Sequence, residues 1–526
     1  MDKSMTRRKF LHLVGATAGS AVLMQTMQGL GVLAESSYRG PLQLQGSSNG
    51  TKVLILGAGL AGMTAALELS KQGYECEILE YNDRAGGRVW SVRNGTRFEE
   101  LGGAVQNVEF AEGEYFNPGP WRIPYSHKGL LDYCKRLGVE LQVFINHNRN
   151  TFIHRTNVNN GEPIARMPVT ADFVGYTAEL LAKATDQGAL DERLTADDRD
   201  RLLEALRSWG ALNRDYEYTG GSRRGYDEYM GAGHRPGVTS APQTLEEVLG
   251  SEAWRAFGSE WSYEALTMFQ PVGGMDQIAR AFEREVGHLI RYRSKVTEIR
   301  QSDDGVRVRY ENLASGATEE ATGDFCICTI PLSILSQIPA DFSPEFSEAV
   351  RSVPYASATK VGLQFKRRFW EEDHRIYGGI TTTNQEISQI AYPNYNFFKE
   401  KGVLLGAYTY GGNISHHVTG MSPEERIEWA LEQGRQIHPQ YDEEYDGKGF
   451  AVGWHRVPWT LGCAASWSSS ARQTYYDTLL QPDGRVYLAG EHLSYLGAWM
   501  EGAILSAIDV IQAVHERAMS TQEAVA

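Results

Sequence analysis

The sequence predicts an α/β chain with α+β insertions, and three observations carry the prediction. An apolar strand, a glycine-rich turn and a helix follow one another over residues 52–72. A second strand, turn and helix fill the stretch from residue 486 onward. Between the two units lie strand-like runs and a charged, periodic stretch over 165–262 that reads as helix. A chain of 526 residues suits two or three domains rather than one small core. Hydrophobic residues at 42% and charged residues at 22% are ordinary for a globular protein. The net charge of −15 argues against nucleic acid or an anionic membrane as partner.

The first 34 residues stand apart from the fold. "TRRKFLHLVGATAGSAVLMQTMQGLGVLA" sets Arg7 and Arg8 before Phe10, Leu11 and a weakly apolar run ending at Ala34. This pattern reads as a twin-arginine export signal, which places the mature protein in the periplasm or outside the cell. Gly15, Ser20, Gln25, Gln28 and Gly31 break the run, so no stable membrane anchor is expected. Twin-arginine export carries proteins already folded, commonly around an inserted cofactor. Five cysteines without a CxxC pair or a Cys/His cluster suggest neither a disulfide framework nor a metal site.

The first unit, "KVLILGAGLAGMTAALELSKQGYECEILEYNDRAGGRVWSV", has the order needed to hold a dinucleotide. Lys52–Leu56 reads as a buried strand and Met63–Gln72 as a helix, with Gly57, Gly59 and Gly62 between them. Those glycines allow a tight turn, close approach of backbone to a pyrophosphate, and tight helix–strand packing. Leu60 and Ala61 fall where the free N–H groups of the helix start would face the phosphates. A second strand, Cys76–Leu79, ends in Glu80, whose carboxylate suits ribose hydroxyls. NAD and FAD both fit this Rossmann-like start. "RAGGR", with Gly87 and Arg88, resembles the second phosphate contact of glutathione-reductase-like flavoproteins and decides for FAD.

The last unit agrees with that reading. Val486–Ala489 reads as a strand, followed by Gly490-Glu491 and a helix from Met500. In flavoproteins of this type the acid caps the ribitol. The helix start, here Glu501, Gly502 and Ala503, points its positive end at the flavin pyrimidine. The FAD-binding domain is therefore discontinuous, over 50–98, 265–335 and 450–515. A mixed-sheet substrate-binding domain is expected over 99–160 and 340–449, and a helical domain over 165–262.

Longer blocks resemble the flavin amine oxidases, most of all the L-amino acid oxidase branch, over nearly all of residues 50–515. "MFQPVGGMDQIARAF", "CICTIPLSIL", "AYPNYNF" and "VLLGAYTYGG" occur in the family order. The resemblance implies that Val296 of "SKVTEI" meets the adenine, and that Lys360 of "ATKVGLQFKRRFW" holds a water against flavin N5. "GPWRIPYSHK" is similar to the block whose arginine clamps the substrate carboxylate, which implies roles for Gly119 and Arg122. A guanidinium fork suits a carboxylate bidentately. The alternative is a structural Arg122 paired with an acid such as Glu114.

Further roles follow from the same resemblance. Tyr408 stands for the second carboxylate ligand, although Gly406 is one residue extra and Tyr410 shares its side of the strand. Trp499 matches the aromatic beside the flavin, and Ala498 stands where a glycine carbonyl accepts from the substrate amine. An insertion, "ELGGAVQNVEFAEGEYFN", precedes the arginine block, and its Gly103 is expected near the flavin. Cys463 lies where monoamine oxidases attach the flavin covalently; a packed free thiol, with FAD held non-covalently, is the favoured alternative.

The implied reaction is oxidation of an L-α-amino acid by hydride transfer from Cα to flavin N5. Water and molecular oxygen then yield a 2-oxo acid, ammonia and hydrogen peroxide. Monoamine oxidase and amino acid 2-monooxygenase activities are the alternatives. His234 is a candidate proton acceptor in the loop "YEYTGGSRRGYDEYMGAGHRPG", which is expected to line the substrate entrance. Aromatic content favours apolar or aromatic substrates, while Asp227 and Glu228 would welcome a basic one. Relatives commonly form homodimers.

Overall fold

A computed structural model describes residues 36–48, 50–189, 193–254 and 267–525. The segment expected to act as an export signal lies outside the described residues. Among them, no helix is long and apolar enough to cross a membrane.

A five-stranded parallel sheet organises the molecule. Its order is Ile290–Arg291, Glu75–Leu79, Lys52–Leu56, Phe325–Cys328 and Val486–Leu488. Alternate residues of a strand face opposite sides, and both sides of this sheet are covered. Val53 and Ile55 meet the helices Leu60–Ser70, Asp276–Val286 and Met500–Val525. Leu54 and Leu56 meet the antiparallel sheet Ser294–Gln301, Val306–Asn312 and Thr318–Gly323. Continuous apolar runs such as VLIL are what double-sided burial requires.

The first helix starts a turn earlier than Met63. Gly57, at φ +104°, reverses the chain at once, and Gly59 in extended conformation is already the N-cap. Leu60 and Ala61 therefore form the helix start itself.

The second sheet has seven strands. Its order is Ile164–Ala165, Phe152–His154, Ile380–Thr383, Gln389–Ala391, Gly402–Tyr410, Ala358–Phe365 and Tyr445–Gly453. Only the pair Phe152–His154 with Ile380–Thr383 runs parallel. Ala358–Phe365 is flanked on both edges, and all eight of its residues are buried. Gly406 is extruded as a bulge, because Val361 faces Ala407 while Gly362 faces Leu405. A Cβ on Gly406 would come within 2.5 Å of Leu363, so the extra residue is one that can be hidden there.

Helices Arg166–Asp186 and Ala196–Gly210 pack together in the region expected to be helical. The glycine-rich loop beyond them forms a short hairpin, Tyr226–Glu228 with Val238–Thr239.

Candidate active site

A cavity of about 490 Å³ opens at the carboxyl ends of the parallel strands. This is where open α/β sheets bind ligands. One end of it is built largely from backbone. Gly57 takes φ +104°, and a Cβ on Gly62 would sit 2.0 Å from the Gly57 carbonyl. Gly62 therefore packs the helix on the strand and does not line the cavity. A Cβ on Gly59 would meet nothing within 4 Å, so this face of the turn is an open cradle. Leu60, Ala61, Ala503 and Val296 also line the cavity, as does Gly87, at φ +56° and packed against Gly59.

Two buried carboxylates reach this wall, both held by protein donors. Glu80 accepts from the Ala58 amide at 2.7 Å, the Asn82 amide at 2.8 Å and the Asn82 Nδ2 at 2.7 Å. Glu491 accepts from Arg88 at 2.7 Å, the Ala465 amide at 3.1 Å and the Ala498 amide at 3.0 Å. Burial pushes the Glu491 carboxyl upward, but Arg88 and the other donors outweigh it and leave the pKa below its ordinary value. Arg88 also donates to the Cys463 carbonyl at 2.9 Å, so one guanidinium joins the first and last units of the chain.

The other end is made of side chains. Lys360 is 2% exposed. Its Nζ donates to the Gly119 carbonyl and lies 4.6 Å from the Tyr408 ring and 5.3 Å from the Trp121 ring. Gly119 is required where it stands, since a Cβ there would lie 2.0 Å from the Arg88 carbonyl. The neighbouring Pro118 carbonyl accepts from the Trp454 indole at 2.9 Å. The proline-rich loop is thus clamped from both sides, and its next turn presents Arg122 to the cavity.

Arg122 stacks at 5.3 Å on Trp121 and donates to Asn146. Glu114 is not its partner; that acid accepts from Asn396 at 2.9 Å. The bulge at Gly406 keeps Tyr408 directly opposite Lys360, and Tyr410 lines the same wall. Burial first, then the charge of Arg122, pulls the Lys360 pKa down to about 7. Burial pushes the Cys463 thiol up to about 12. Trp499 and Ala498 complete this end, Ala498 with φ +65°.

Several expected residues do not themselves line the cavity, although Met500 and Ala503 of the last helix start do. Gly103 occupies the exposed tip of the hairpin Arg97–Glu99 with Val105–Asn107, its amide bonded to the Glu100 carbonyl at 3.0 Å. Glu501 is fully buried and turned away from the cavity. It accepts from the Gly129 amide at 2.9 Å, the Leu130 amide at 2.7 Å and the Ser36 hydroxyl. It thereby satisfies the start of helix Lys128–Arg136, whose N-cap side chain supplies no acceptor. Gly502 is a packing glycine, since a Cβ would lie 2.3 Å from the Leu496 carbonyl. His234, Asp227 and Glu228 are exposed on the hairpin segment, away from the cavity.

Trp454, Tyr81 and Trp459 also line the cavity, and no motif in the sequence points to them. Tyr81 could have been noticed as the residue following the ribose acid. Nothing local marks Trp454 or Trp459.

Residues 60–515 match the family model described as flavin containing amine oxidoreductase. The chain belongs to that family. The chain is also similar to several L-amino acid oxidases. It is 32% identical to the L-amino-acid oxidase of Siganus canaliculatus over 87% of this chain and 84% of that one. It is 29% identical to the putative L-amino-acid oxidase YobN of Bacillus subtilis (strain 168), over 90% and 96%. It is 29% identical to the flavin-dependent L-tryptophan oxidase RebO of Lentzea aerocolonigenes, over 88% and 98%.

Among solved structures, cyclohexylamine oxidase from Brevibacterium oxydans IH-35A superposes with a TM-score of 0.58 at 18% identity, covering 89% of this chain and 99% of that one. A putrescine oxidase bound to putrescine gives a TM-score of 0.55 at 17% identity, covering 90% and 99%. These amine oxidases share the fold. Membership in the family makes the chain a flavoprotein, and the open face of Gly59 together with the glycine turn around it fits a flavin dinucleotide.

Proposed function

We propose that this flavin amine oxidase holds FAD non-covalently and deaminates L-amino acids with an apolar or aromatic side chain. The observation that carries the reading is the Arg122 guanidinium on the cavity wall, in the same aromatic box as Lys360 and Tyr408. An amine without a carboxylate has no use for such a fork. Overall, amino acid, oxygen and water become 2-oxo acid, ammonia and hydrogen peroxide.

Gly57, Gly59, Leu60, Ala61 and Glu80 would hold the dinucleotide, with Gly87, Arg88 and Val296 beside them. Bound there, FAD supplies the hydride acceptor and the route of electrons to oxygen. The remaining work belongs to the chain. Arg122 and Tyr408 fix the substrate carboxylate, and orientation of this kind contributes up to ~7–11 kcal/mol to lowering a barrier. The Ala498 carbonyl accepts from the amine, while Trp499, Tyr408 and Trp121 exclude water from the Cα–H bond. Lys360, with its pKa near neutrality, exchanges a proton or holds a water at Nζ. A thiol kept protonated is a poor nucleophile, which favours non-covalent binding beside Cys463. The twin-arginine reading of the first 34 residues supports a working location in the periplasm or outside the cell.

Offering the purified protein each L-amino acid, alongside amines lacking a carboxylate, and measuring peroxide and 2-oxo acid tests the proposal. Peroxide formed with L-amino acids and not with amines is expected. An amide product would assign a monooxygenase, and oxidation of amines alone would assign a monoamine oxidase.

A further inference from the structure

Tyr81 and Trp459 stack face to face across the cavity wall. Their ring centroids are 4.8 Å apart and their planes differ by 5°. Both line the cavity. Tyr81 lies between Glu80 and Asn82, whose amides hold the Glu80 carboxylate, so the stack marks the end where ribose and adenine would sit. Trp459 arrives from the far end of the sequence.

Its backbone is strained. Trp459 has φ +59° and Leu461 φ +51°, conformations that bulky residues adopt only where their surroundings over-determine them. Here the turn is tied down at both sides. Ser333 Oγ donates to the Thr460 carbonyl at 2.7 Å, and the Gly462 amide donates to the Trp454 carbonyl at 3.0 Å. Gly462, at φ +146°, would place a Cβ 2.5 Å from the Tyr355 Cβ, so this position admits only glycine. A strained turn held from both flanks has delivered one indole onto one phenol at the rim of a ligand cavity.

We infer that the Tyr81–Trp459 stack is a clasp that closes the adenosine end of the cavity over bound FAD and slows its escape. The inference rests on the FAD reading above. Opening the cavity at this end requires the two rings to part, which forfeits their contact, and an aromatic pair is worth a several-fold to tenfold change in rate.

The test is release of cofactor from purified holoenzyme, followed by the rise of free-flavin fluorescence after dilution, with chromatography identifying what is released. Trp459→Ala and Tyr81→Leu should each speed FAD release about five- to tenfold. Trp459→Phe, which keeps a ring to stack, should restore slow release. A purely structural role would not separate Phe from Ala in this way. Because the stack is broken from either side, failure of one variant to fold leaves the other to decide. Wild-type release rates in Trp459→Ala or Tyr81→Leu, or equal rates for Trp459→Phe and Trp459→Ala, would overturn the clasp and leave FAD binding intact. FMN or no flavin in the released fraction would overturn the FAD reading and the clasp together.

Discussion

The two ends of the cavity are built on opposite plans. The end proposed to hold FAD uses backbone: a positive-φ turn, a helix start, and two acids whose oxygens are already held by amides and by Arg88. The other end uses side chains carried by distant segments. Lys360 from one strand bonds the Gly119 carbonyl of a loop 241 residues earlier, and Tyr408 faces it from a third segment. Phosphate and ribose ask for amides and a carboxylate, which a single strand–turn–helix supplies. Positioning an amino acid requires charge inside an apolar wall, and the pKa of Lys360 shows how strongly burial acts on it.

The sharpest way to break the contrast is Arg122→Ala. Turnover of L-amino acids should fall about 10³-fold in kcat/KM, since losing one partner of a desolvated charge pair costs ~2–5 kcal/mol. Flavin absorbance should stay at full loading, and loss of both together would show that the two ends are not separable. Next, Lys360→Met should slow flavin reoxidation by ~100-fold, more than it slows reduction. Stopped-flow traces with equal effects on both half-reactions would remove Lys360 from the oxygen step.

Lys360 also makes a pH-dependent prediction for the flavin-free protein. Its folded pKa lies near 7 and its ordinary value is 10.5, so the folded chain binds this proton less tightly than the unfolded one. The penalty of burying the charge is therefore fully present below pH 7 and is relieved as pH rises from 7 toward 10.5. Lys360→Met should raise Tm most at pH 6 and progressively less by pH 9, read by thermal melts across that window.

The smallest effect concerns Glu501. Glu501→Ala should cost about 2 kcal/mol of stability by stranding the Gly129 and Leu130 amides, with FAD affinity unchanged. Weakened flavin binding would return this acid to the cofactor site.

Legibility in the sequence follows the same divide. The glycine turn, Glu80 and the RAGGR turn lie within about forty consecutive residues, where periodicity and spacing carry the geometry. Arg122 and Lys360 take their roles from family likeness, because no local pattern says that a lysine on a strand will be flanked on both edges and buried. The place of the Glu501 side chain is not readable locally, because its partner, the helix start at Gly129, lies 372 residues away. Gly406 looked like a threat to the register, yet a bulge absorbs it. The Trp459 turn left no mark, since φ is invisible in a tryptophan codon.

The sheet itself has a consequence for biogenesis. Its central strand, Lys52–Leu56, emerges early from the ribosome, whereas its edge strand, Val486–Leu488, and the Arg88–Glu491 bridge await almost the whole polypeptide. On the proposed function, cofactor capture is thus completed only after synthesis has passed residue 491. A nascent chain stalled upstream of that point would carry a half-built cradle and no colour.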